Sequence, residues 1–493
     1  MLLNADNNSY LAIIENPNQW AAASLDDTIA KDIKSAALKL RDEFGMSPSQ
    51  QLISRETMRR RLQIVWDPPG SGKTHFLALF VLWYLTYLAD KSVRIGITAY
   101  TRAAVKNLLD RIVQVRQRNT NSDFKLISMV RELPKEPIEG MICCQANSLQ
   151  RHLGHGAVVI GGTVWDWSKV RQAWPEEAGC DIFIIDEGSQ VHPKITKFNG
   201  VLKHLLVSDA AIGIEMLKQS TGRLIVAGDH MVSLNVITAS GDFFLGKGSR
   251  HDFGPSTMQL KDNWRMNDEL NGFFQQIYGD DYLARYPDIR CSYQKRVWEG
   301  LSEHVRQALA ADKAISLIKV QGKRNHMLQT EARVVTTVVK AHLQCRNDNL
   351  LRPKPYAMIV TPHHRQRNAV RSLLKQEVDD GLVMVDTVEK MQGLECELVI
   401  ACFTFLRAES EQALDFLLDF RRWNVAVSRA RCKVIVVTTN EMLVPRGMKV
   451  FQKKETAEGW GFVWLLEQWA NQHQSIVHWK DWDDDDDGEF EDF

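Results

Sequence analysis

The sequence lacks several features that would assign it to a class at once. Its 61 Lys and Arg residues balance 61 Asp and Glu residues, so the formal net charge is zero. Its eight cysteines form no CxxC pair, which argues against a structural zinc domain and favours a reduced, intracellular protein. No repeat of fixed period is present, which argues against a solenoid. The hydrophobic fraction of 44% and the charged fraction of 25% are typical of a globular protein.

The chain also has no pattern that directs it to a membrane. Its N-terminus, MLLNADNNSY, carries no basic segment followed by an apolar core, as a signal peptide would. The most apolar stretch, Phe76–Ala89, is shorter than the roughly 20 residues that span a bilayer. We therefore expect a soluble, monomeric protein of the cytoplasm or nucleus, with no membrane partner.

The zero net charge is a sum over two unlike parts. The last 13 residues hold nine acids and no base, so the rest of the chain carries a formal charge of +9. Basic residues cluster at Arg59–Arg61 and along helical patterns that begin near Lys106 and Arg365. Such clusters suit a nucleic-acid backbone, although solvated helix faces explain each one equally well. The acidic end could compete with nucleic acid, bind a protein partner or simply aid solubility, and we expect the last.

Short, continuous apolar runs predict buried parallel strands. Nine such runs are Leu62–Trp66, Val93–Thr98, Val158–Ile160, Ile182–Ile185, Leu224–Ala227, Ile315–Val320, Ala357–Thr361, Leu398–Cys402 and Val434–Thr438. Helical patterns such as Phe76–Ala89 and Glu331–Leu343 alternate with them, so the fold class is α/β with parallel sheets. Residues 108–155 and 191–221 show no strand pattern, and we expect helices there.

The strand runs form two sets, which predict two domains. The Gly-rich stretch Gly241–Pro255 separates the sets, so we place the domain boundary there. The predicted organisation is a helical N-terminal element over residues 1–45 and a first domain over 46–250. A second domain follows over 251–475, and an acidic disordered tail follows over 476–493.

The segment LQIVWDPPGSGKTHF has the order of a phosphate-binding loop: an apolar strand, a Gly-rich turn and a helix. Backbone N–H groups of Gly70, Ser71 and Gly72, together with the helix N-terminus, can face an anion. Lys73 would reach the β- and γ-phosphates of a nucleotide, and the Thr74 hydroxyl would bind Mg²⁺. The alternative is a Gly-rich turn with an exposed lysine, which the flanking strand and helix disfavour.

One residue departs from the strict loop pattern GxxxxGK[ST]. Asp67 stands where the pattern has its first glycine. A carboxylate beside a triphosphate is expected to weaken nucleotide binding or to require a particular backbone conformation.

The run CDIFIIDEGSQ places two adjacent carboxylates at the end of a buried strand. In nucleotide hydrolysis Asp186 would hold the Mg²⁺ shell, and Glu187 would position or polarise the attacking water. The carboxyl end of a parallel strand opens onto the cleft beside the phosphate loop. A strand followed by Asp-Glu is by itself equally typical of a solvated strand end, but together with the loop it indicates a nucleotide hydrolase.

These motifs occur in the order found in the up-frameshift-like group of superfamily 1 helicases, which the chain resembles from about Met46 to Thr439. The resemblance implies two RecA-like domains in tandem that bind ATP in the cleft between them and act on single-stranded RNA or DNA. ITAYTRAAVKNLL and VVIGGTVW resemble the segments that contact the nucleic-acid backbone. The contact residues that they imply are Thr98, Thr101, Asn107 and Thr163.

Three further blocks of the first domain resemble family segments that recognise the nucleotide or couple its hydrolysis to the domain cleft. MSPSQ resembles the family's Q motif, in which Gln50 would recognise the adenine edge. DEGSQ is similar to the family's DExxQ, so Gln190 would couple the γ-phosphate to the domain cleft. GDHMVSL matches the next block at Gly228 and Asp229, but Val232 stands where the family has glutamine, which removes one amide from that coupling.

The second domain supplies the remaining blocks. LKDNWRMNDEL resembles the NYRM block, in which Trp264 replaces the tyrosine but keeps an aromatic face for adenine, and Arg265 would contact the γ-phosphate. RRWNVAVSRARCKVIVV resembles the last block, in which Arg429 would be the arginine finger. DTVEKMQGLECELVI and TPHHRQRNAV match two others. They imply nucleic-acid contact by Thr387, nucleotide coupling by Gln392, Gly393 and Glu395, and a weaker match at Pro362 and Gln366.

The function that these residues predict is an ATP-dependent helicase or translocase with Mg²⁺ as cofactor, and the resemblance implies 5′-to-3′ movement. An arginine from a second domain neutralises the charge that phosphoryl transfer spreads over the γ-phosphate oxygens, which couples hydrolysis to domain motion. One alternative is a degenerate helicase-like scaffold that binds nucleotide and nucleic acid without productive turnover, which Asp67 and Val232 favour. The other is a nucleotide-driven switch that acts on a protein partner through the acidic tail.

Overall fold

The computed structural model describes residues 27–89, 92–99, 101–118, 123–173, 179–187, 209–218, 221–229, 257–322, 326–347, 353–391, 393–404, 411–444 and 453–480. The chain divides into two compact units, Met1–Asp262 and Asn263–Phe493, whereas the sequence places the boundary at residue 250. Several expectations lie outside the described residues: the roles of Gln190, Val232 and Gln392, the helical nature of residues 1–26, the boundary stretch Gly241–Pro255 and the nature of residues 481–493.

The first unit is built on one parallel sheet. Its strands are β1 (Leu62–Trp66), β2 (Arg94–Ala99), β3 (Lys125–Met129), β4 (Ile142–Cys144), β5 (Val158–Gly161), β6 (Ile182–Asp186), β7 (Arg223–Gly228) and β8 (Thr257–Gln259). Their order across the sheet is β4-β3-β5-β2-β6-β7-β1-β8, and every neighbouring pair is parallel. All the carboxyl ends of these strands therefore meet at one edge of the sheet.

Helices cover both faces of this sheet, as its continuous apolar strands require. They are α1 (Asp27–Ala37), α2 (Lys39–Asp42), α3 (Pro48–Arg59), α4 (Lys73–Tyr87), α5 (Arg102–Arg116), α6 (Val164–Ala173) and α7 (Asp209–Glu215), with a 3₁₀ segment at Ala146–His152. Neighbouring residues of β6 enter different cores: Ile184 packs in the cluster that contains Phe80, and Ile185 in the cluster that contains Trp167. The N-terminal element joins the first core, where Trp83 Nε1 donates to the Ala36 carbonyl at 2.8 Å.

The expectation that residues 108–155 are helices without strands is wrong. This region contains β3 and β4, which extend the sheet beyond β5. Both are short, and β4 is only partly buried, so their apolar runs are too brief to stand out in the sequence. Of residues 191–221, the structure describes 209–218, which contain α7, and residue 221, which precedes β7.

The second unit repeats this plan with a six-stranded parallel sheet. Its strands are β11 (Ile315–Gln321), β12 (Ala357–Thr361), β13 (Val383–Thr387), β14 (Cys396–Phe403), β15 (Ala430–Thr438) and β16 (Ile476–Lys480). The order is β13-β12-β14-β15-β11-β16, with all neighbouring pairs parallel. Two-residue strands β9 (Asp262–Asn263) and β10 (Leu283–Ala284) precede the sheet. Because β16 pairs with β11, the expected tail over 476–493 is wrong for residues 476–480.

Helices also flank the second sheet. They are α8 (Asp268–Tyr278), α9 (Lys295–Glu299), α10 (Glu303–Leu309), α11 (Met327–Cys345), α12 (His364–Leu373), α13 (Lys375–Asp379), α14 (Glu411–Leu417), α15 (Phe420–Val427), α16 (Asn440–Leu443) and α17 (Lys454–Gln472), with a 3₁₀ segment at Val388–Met391. The two parallel sheets confirm the predicted α/β class. None of the described helices has both the length and the apolar character needed to cross a membrane.

Candidate functional sites

The phosphate loop of the first unit has the backbone that anion binding requires. It connects the end of β1 to the start of α4, which begins at Lys73. Gly70 and Gly72 have φ angles of 91° and 75°, a left-handed conformation that glycine adopts without steric cost. The Ser71 N–H donates to the Pro68 carbonyl at 3.0 Å and closes the turn. The loop therefore leads into a helix N-terminus that is free of acidic residues in its first turn.

Lys73 lies at the centre of three carboxylates. Its Nζ atom is 3.1 Å from Asp67 Oδ2, 3.0 Å from Asp186 Oδ1 and 2.9 Å from Glu187 Oε1. The Lys73 side chain is only 8% exposed. Burial alone would lower the pKa of Lys73, but the three surrounding negative charges outweigh it and raise the pKa well above the usual lysine value. The ammonium is therefore fixed and fully charged at the loop, as a phosphate ligand must be.

The three carboxyl groups of this cluster outnumber the single ammonium that they surround. Burial raises the pKa of Asp67 well above its usual value, although the Lys73 charge opposes the rise. Burial likewise raises the pKa of Asp186, with Lys73 opposing and Glu187 adding to the rise. A single ammonium faces three carboxylates, so the site is anionic by formal charge. The pairing of Asp67 with Lys73 has no signal in the loop pattern, and the sequence did not predict it.

Asp186 and Glu187 occupy the end of β6, as the sequence predicts. Asp186 Oδ1 accepts the Glu187 N–H at 2.9 Å. Glu187 has φ +56°, a left-handed conformation that is uncommon for a residue with a side chain. This strained turn directs the Glu187 carboxylate to Lys73, and such conformations concentrate at functional sites.

The donors beside the loop fit a hard divalent cation. Thr74 is the second residue of α4, directly after Lys73, and is only partly buried. Asp186 offers a carboxylate at the end of β6. Mg²⁺ is usually held by one or two carboxylates, a hydroxyl and the phosphates of the nucleotide. The donor set therefore fits the predicted metal ligands Thr74 and Asp186.

Two further residues of the first unit hold strand ends or helix ends. Trp66 Nε1 donates to Asp229 Oδ1 at 3.1 Å, which links the ends of β1 and β7. Gln50 is buried, and its Oε1 accepts the Ser47 N–H at 3.1 Å in a capping box at the start of α3. The amide of Gln50 thus has a structural use, and adenine recognition by this residue stays a prediction.

The residues predicted to contact nucleic acid in the first unit differ in accessibility. Thr101 and Asn107 are exposed on α5 or at its start, where the Thr101 hydroxyl accepts the Ala104 N–H at 3.1 Å. Thr98, in contrast, is 0% exposed in β2, and within the described part of the chain its hydroxyl has no hydrogen-bond partner. The Thr98 side chain is therefore buried within the first unit, and the structure does not bring it to the surface.

Thr163 belongs to a hydrogen-bonded network rather than to an open surface. Its N–H and its hydroxyl both donate to Asp166 Oδ2, at 3.0 and 2.6 Å. Asp166 is also paired with the Arg102 guanidinium at 3.0 Å, and Arg102 donates to the Met129 carbonyl at 3.1 Å. This network joins the two segments that the resemblance assigns to nucleic acid. Asp166 and Arg102 were missed because neither belongs to a motif position.

In the second unit, Glu395 gathers two arginines. Arg265 Nε donates to Glu395 Oε2 at 2.9 Å, and Arg431 Nη1 lies 3.3 Å from Glu395 Oε1. Arg265 Nη1 also donates to the Ser428 carbonyl at 2.9 Å. Burial opposes ionisation of Glu395, but the charge of Arg265 and its hydrogen bond outweigh that effect and lower the pKa of Glu395. The structure thus brings together Arg265 and Glu395, which the sequence predicted separately.

Arg429, Gly393 and Trp264 lie on the segments around this cluster. Arg429 is 4% exposed and its Nε donates to the Val425 carbonyl at 3.0 Å. Gly393 has φ +81° and is exposed. The Trp264 ring meets the exposed Tyr286 ring edge-on, with centroids 6.2 Å apart, and its buried Nε1 has no hydrogen-bond partner.

The predicted residues of the second unit lie at opposite edges of its sheet. Glu395 and Arg429 directly precede β14 and β15, so they lie at the amino edge. Thr387 ends β13 at the carboxyl edge, and its N–H donates to Asp386 Oδ1 at 2.8 Å. At that edge Gln366 Nε2 donates to both oxygens of the buried Glu331, at 3.2 and 3.1 Å. The nucleotide-coupling residues and the nucleic-acid residue of this unit are therefore separated by the length of the strands.

Comparison with known proteins agrees with these motifs. The family model described as an AAA domain matches residues 250–441, which include the second-unit cluster. The DNA replication ATP-dependent helicase/nuclease DNA2 of Xenopus laevis is 23% identical over 83% of this chain and 38% of its own length. The DNA polymerase alpha-associated DNA helicase A of Schizosaccharomyces pombe is 22% identical over 85% of this chain and 66% of its own length. A replicase polyprotein 1ab of Alphamesonivirus 1 is 21% identical over 81% of this chain.

The chain spans only part of the relatives that it matches, 7% of the viral polyprotein and 38% of the Xenopus laevis helicase/nuclease. Two solved structures also align with it. The alignment with the PRRSV helicase covers 78% of this chain and 53% of the helicase chain, at 14% identity and TM-score 0.36. The Pyrococcus furiosus Hef helicase domain covers 81% of this chain and 96% of its own, at 12% identity and TM-score 0.37. The family model and the sequence relatives that are named as helicases agree with the resemblance to superfamily 1 helicases that the motifs carry.

Proposed function

We propose that the chain hydrolyses ATP to move along, or to separate, strands of nucleic acid. The observation that carries the proposal is the position of Lys73. Its ammonium is within hydrogen-bond distance of both Asp186 and Glu187, at the junction of a glycine-bearing loop and a helix N-terminus. A fixed cation, a carboxylate for a metal and a carboxylate for water are the groups that phosphoryl transfer requires. The sequence relatives named as ATP-dependent helicases support the same activity.

Within the first unit, each side chain has a proposed part. Lys73 holds the β- and γ-phosphates, while the N–H groups of Gly70, Ser71 and Gly72 face their oxygens. Mg²⁺, when bound by Thr74 and Asp186, supplies positive charge to the phosphates. Glu187 accepts a hydrogen bond from the attacking water once the phosphates have taken over Lys73.

The arginines of the second unit are proposed to complete hydrolysis. The resemblance assigns Arg265 and Arg429 to the γ-phosphate, and Trp264 and Gln50 to the adenine. Glu395 holds the Arg265 guanidinium in a fixed orientation, which reduces the ordering that phosphate binding would otherwise require. Coupling by Gln190, Gln392 and Gly393 follows from the resemblance as well.

The nucleic-acid partner is proposed to be single-stranded RNA or DNA, with 5′-to-3′ movement. The proposed contacts are the exposed Thr101 and Asn107 in the first unit and Thr387 in the second, whose side chain is buried at the end of β13. Thr163 donates both its N–H and its hydroxyl to Asp166, so its proposed contact with nucleic acid requires that these hydrogen bonds open. Phosphate-directed contacts of this kind do not select a sequence, but they make binding sensitive to salt.

The decisive experiment measures ATP hydrolysis with and without single-stranded RNA or DNA. We expect stimulated hydrolysis in the wild type and its loss in Glu187→Gln, which keeps the shape of the side chain but not the charge. Glu132→Gln is the matched control, because Glu132 is exposed in the same unit. Tight nucleotide binding without hydrolysis under any condition would instead favour the alternative of a degenerate helicase-like scaffold. A rate of ATP hydrolysis that nucleic acid leaves unchanged but a protein partner raises would favour the nucleotide-driven switch.

A second experiment tests substrate and direction. Partial duplexes of RNA and DNA, each with either a 5′ or a 3′ single-stranded overhang, are incubated with the protein and ATP. We expect strand displacement to require a 5′ overhang. Displacement that requires a 3′ overhang would reverse the proposed direction while leaving the ATPase intact.

A further inference from the structure

Asp67 departs from the phosphate-loop pattern at a position where the backbone tolerates a side chain. It directly follows β1, and its N–H donates to the Gly228 carbonyl at 3.3 Å. Among the residues that the structure describes, left-handed φ angles in this loop occur at Gly70 and Gly72 but not at position 67. An aspartate therefore fits there without backbone strain, and its effect on the loop comes from the contact of its carboxyl group with Lys73.

The Asp67 side chain is placed to act on Lys73. Its Oδ2 atom is 3.1 Å from Lys73 Nζ, and the side chain is only 12% exposed. Its Oδ1 atom is buried and has no hydrogen-bond partner among the residues that the structure describes. A buried carboxylate oxygen without a partner costs stability. Asp67 is therefore poorly explained as a residue that stabilises the fold.

A phosphate oxygen and the Asp67 carboxylate need the same partner. Lys73 has three N–H donors, and Asp67, Asp186 and Glu187 each lie within hydrogen-bond distance of its Nζ. Any phosphate that binds Lys73 must displace at least one of these acceptors. Asp186 and Glu187 have proposed tasks of their own, whereas Asp67 has none.

We propose that Asp67 is an internal competitor of the nucleotide phosphates, which holds Lys73 when no nucleotide is bound and makes nucleotide binding depend strongly on a divalent cation. The inference rests on the proposed function of the loop. The buried carboxylates around Lys73 repel a bare polyphosphate. A cation that arrives with the nucleotide offsets that repulsion.

The test is calorimetric titration of the full chain with ADP, once with excess Mg²⁺ and once with EDTA. The variants are Asp67→Asn, which removes the charge and keeps the shape, and Asp67→Gly, which restores the loop pattern. Asp123→Asn, at an exposed position of the same unit, is the matched control. Lys73→Met reports whether the loop binds nucleotide at all, and circular dichroism establishes that each variant is folded.

We expect both Asp67 variants to bind ADP about tenfold more tightly than the wild type in Mg²⁺, as the removal of one close charge pair can produce. The affinity ratio between Mg²⁺ and EDTA should also shrink in both variants, while Asp123→Asn matches the wild type. Unchanged or weaker binding in Asp67→Asn overturns the inference, and so does tightening confined to Asp67→Gly, since backbone freedom would then explain it.

The failure of this inference is distinguishable from the failure of the proposed function. If Lys73→Met loses ADP binding while the Asp67 variants match the wild type, the loop binds nucleotide and only the competition is refuted. If neither the wild type nor any variant binds ADP, both are refuted. If ADP binds only to the Asp67 variants, the competition is supported in its strongest form.

Discussion

Lys73 Nζ donates to Glu187 Oε1 at 2.9 Å. The cation proposed to hold the phosphates and the carboxylate proposed to position water are thus partners of each other. Phosphate binding to Lys73 would release Glu187 from this pair. Activation of the water-positioning carboxylate would then accompany nucleotide binding, which prevents the carboxylate from acting without substrate.

Lys73→Met is expected to lower both nucleotide affinity and stability. The substitution leaves Asp67, Asp186 and Glu187 without the buried ammonium they surround, and a buried charge that loses its partner costs about 3 kcal/mol. Urea unfolding measures the free energy change. Lys106→Met, which removes an exposed i,i+4 pair with Asp110, should cost less than about 0.5 kcal/mol. Equal stability of the two variants would contradict the central role of Lys73 in the cluster.

Glu395→Gln is expected to destabilise the protein in a pH-dependent manner. The pKa of Glu395 is lowered in the folded protein because Arg265 outweighs the effect of burial. The ion pair therefore stabilises the fold above the ordinary glutamate pKa of about 4.3, and this stability is lost as the pH falls through the lowered value. The partly exposed pair should contribute about 1 kcal/mol at pH 7.

Unfolding by urea at a series of pH values tests this prediction. The difference in free energy of unfolding between the wild type and Glu395→Gln should be present at pH 7 and should disappear as the pH falls below the glutamate range. A difference that is constant with pH would show that the substitution acts through packing rather than through charge.

Thr98→Val is expected to be neutral or stabilising. The Thr98 hydroxyl is buried in β2 and meets no partner among the described residues, and valine has nearly the same shape without the polar atom. Replacing such a hydroxyl should leave the free energy of unfolding unchanged or raise it by about 1 kcal/mol. Because the side chain is 0% exposed, affinity for single-stranded nucleic acid should also stay the same. A clear loss of affinity in a fully folded Thr98→Val variant would show that this strand opens to nucleic acid.

Asn107→Ala is expected to change nucleic-acid affinity, whereas Thr163→Val is expected to change stability. Asn107 is exposed on α5, so its truncation should weaken nucleic-acid binding about threefold to tenfold without changing stability. Thr163→Val removes a donor from the buried Asp166 carboxylate and should cost about 2 kcal/mol of stability. Fluorescence anisotropy with a labelled oligonucleotide and urea unfolding separate the two effects. A loss of affinity confined to Thr163→Val would reverse the assignment.

The strands that the sequence predicted correctly all lie in the interior of the sheets, although β3, which is also interior, was missed. A continuous apolar run marks a strand that is covered on both faces, and β6 and β14 are buried at every residue. The four strands at the sheet edges, β4, β8, β13 and β16, were all missed. Their burial is partial or alternating, because an edge strand has fewer neighbours and needs fewer apolar residues.

The candidate site shows the same division between motif and context. Motif spacing identified Lys73 and Asp186, because the chemistry of phosphate binding fixes residue types at fixed distances along the chain. The pairing of Asp67 with Lys73 and that of Asp166 with Arg102 join residues from different elements. Asp67 and Lys73 lie at the two ends of one loop, and the fold of that loop brings them together, whereas Asp166 and Arg102 come from segments that the sheet places side by side.

The most direct test of the account is the initial rate of phosphate release from ATP, with and without saturating single-stranded RNA or DNA. The account predicts slow release alone, and stimulation of at least about tenfold by RNA or DNA, which Glu187→Gln abolishes. Equal rates with and without nucleic acid, or stimulation that survives in Glu187→Gln, would contradict it.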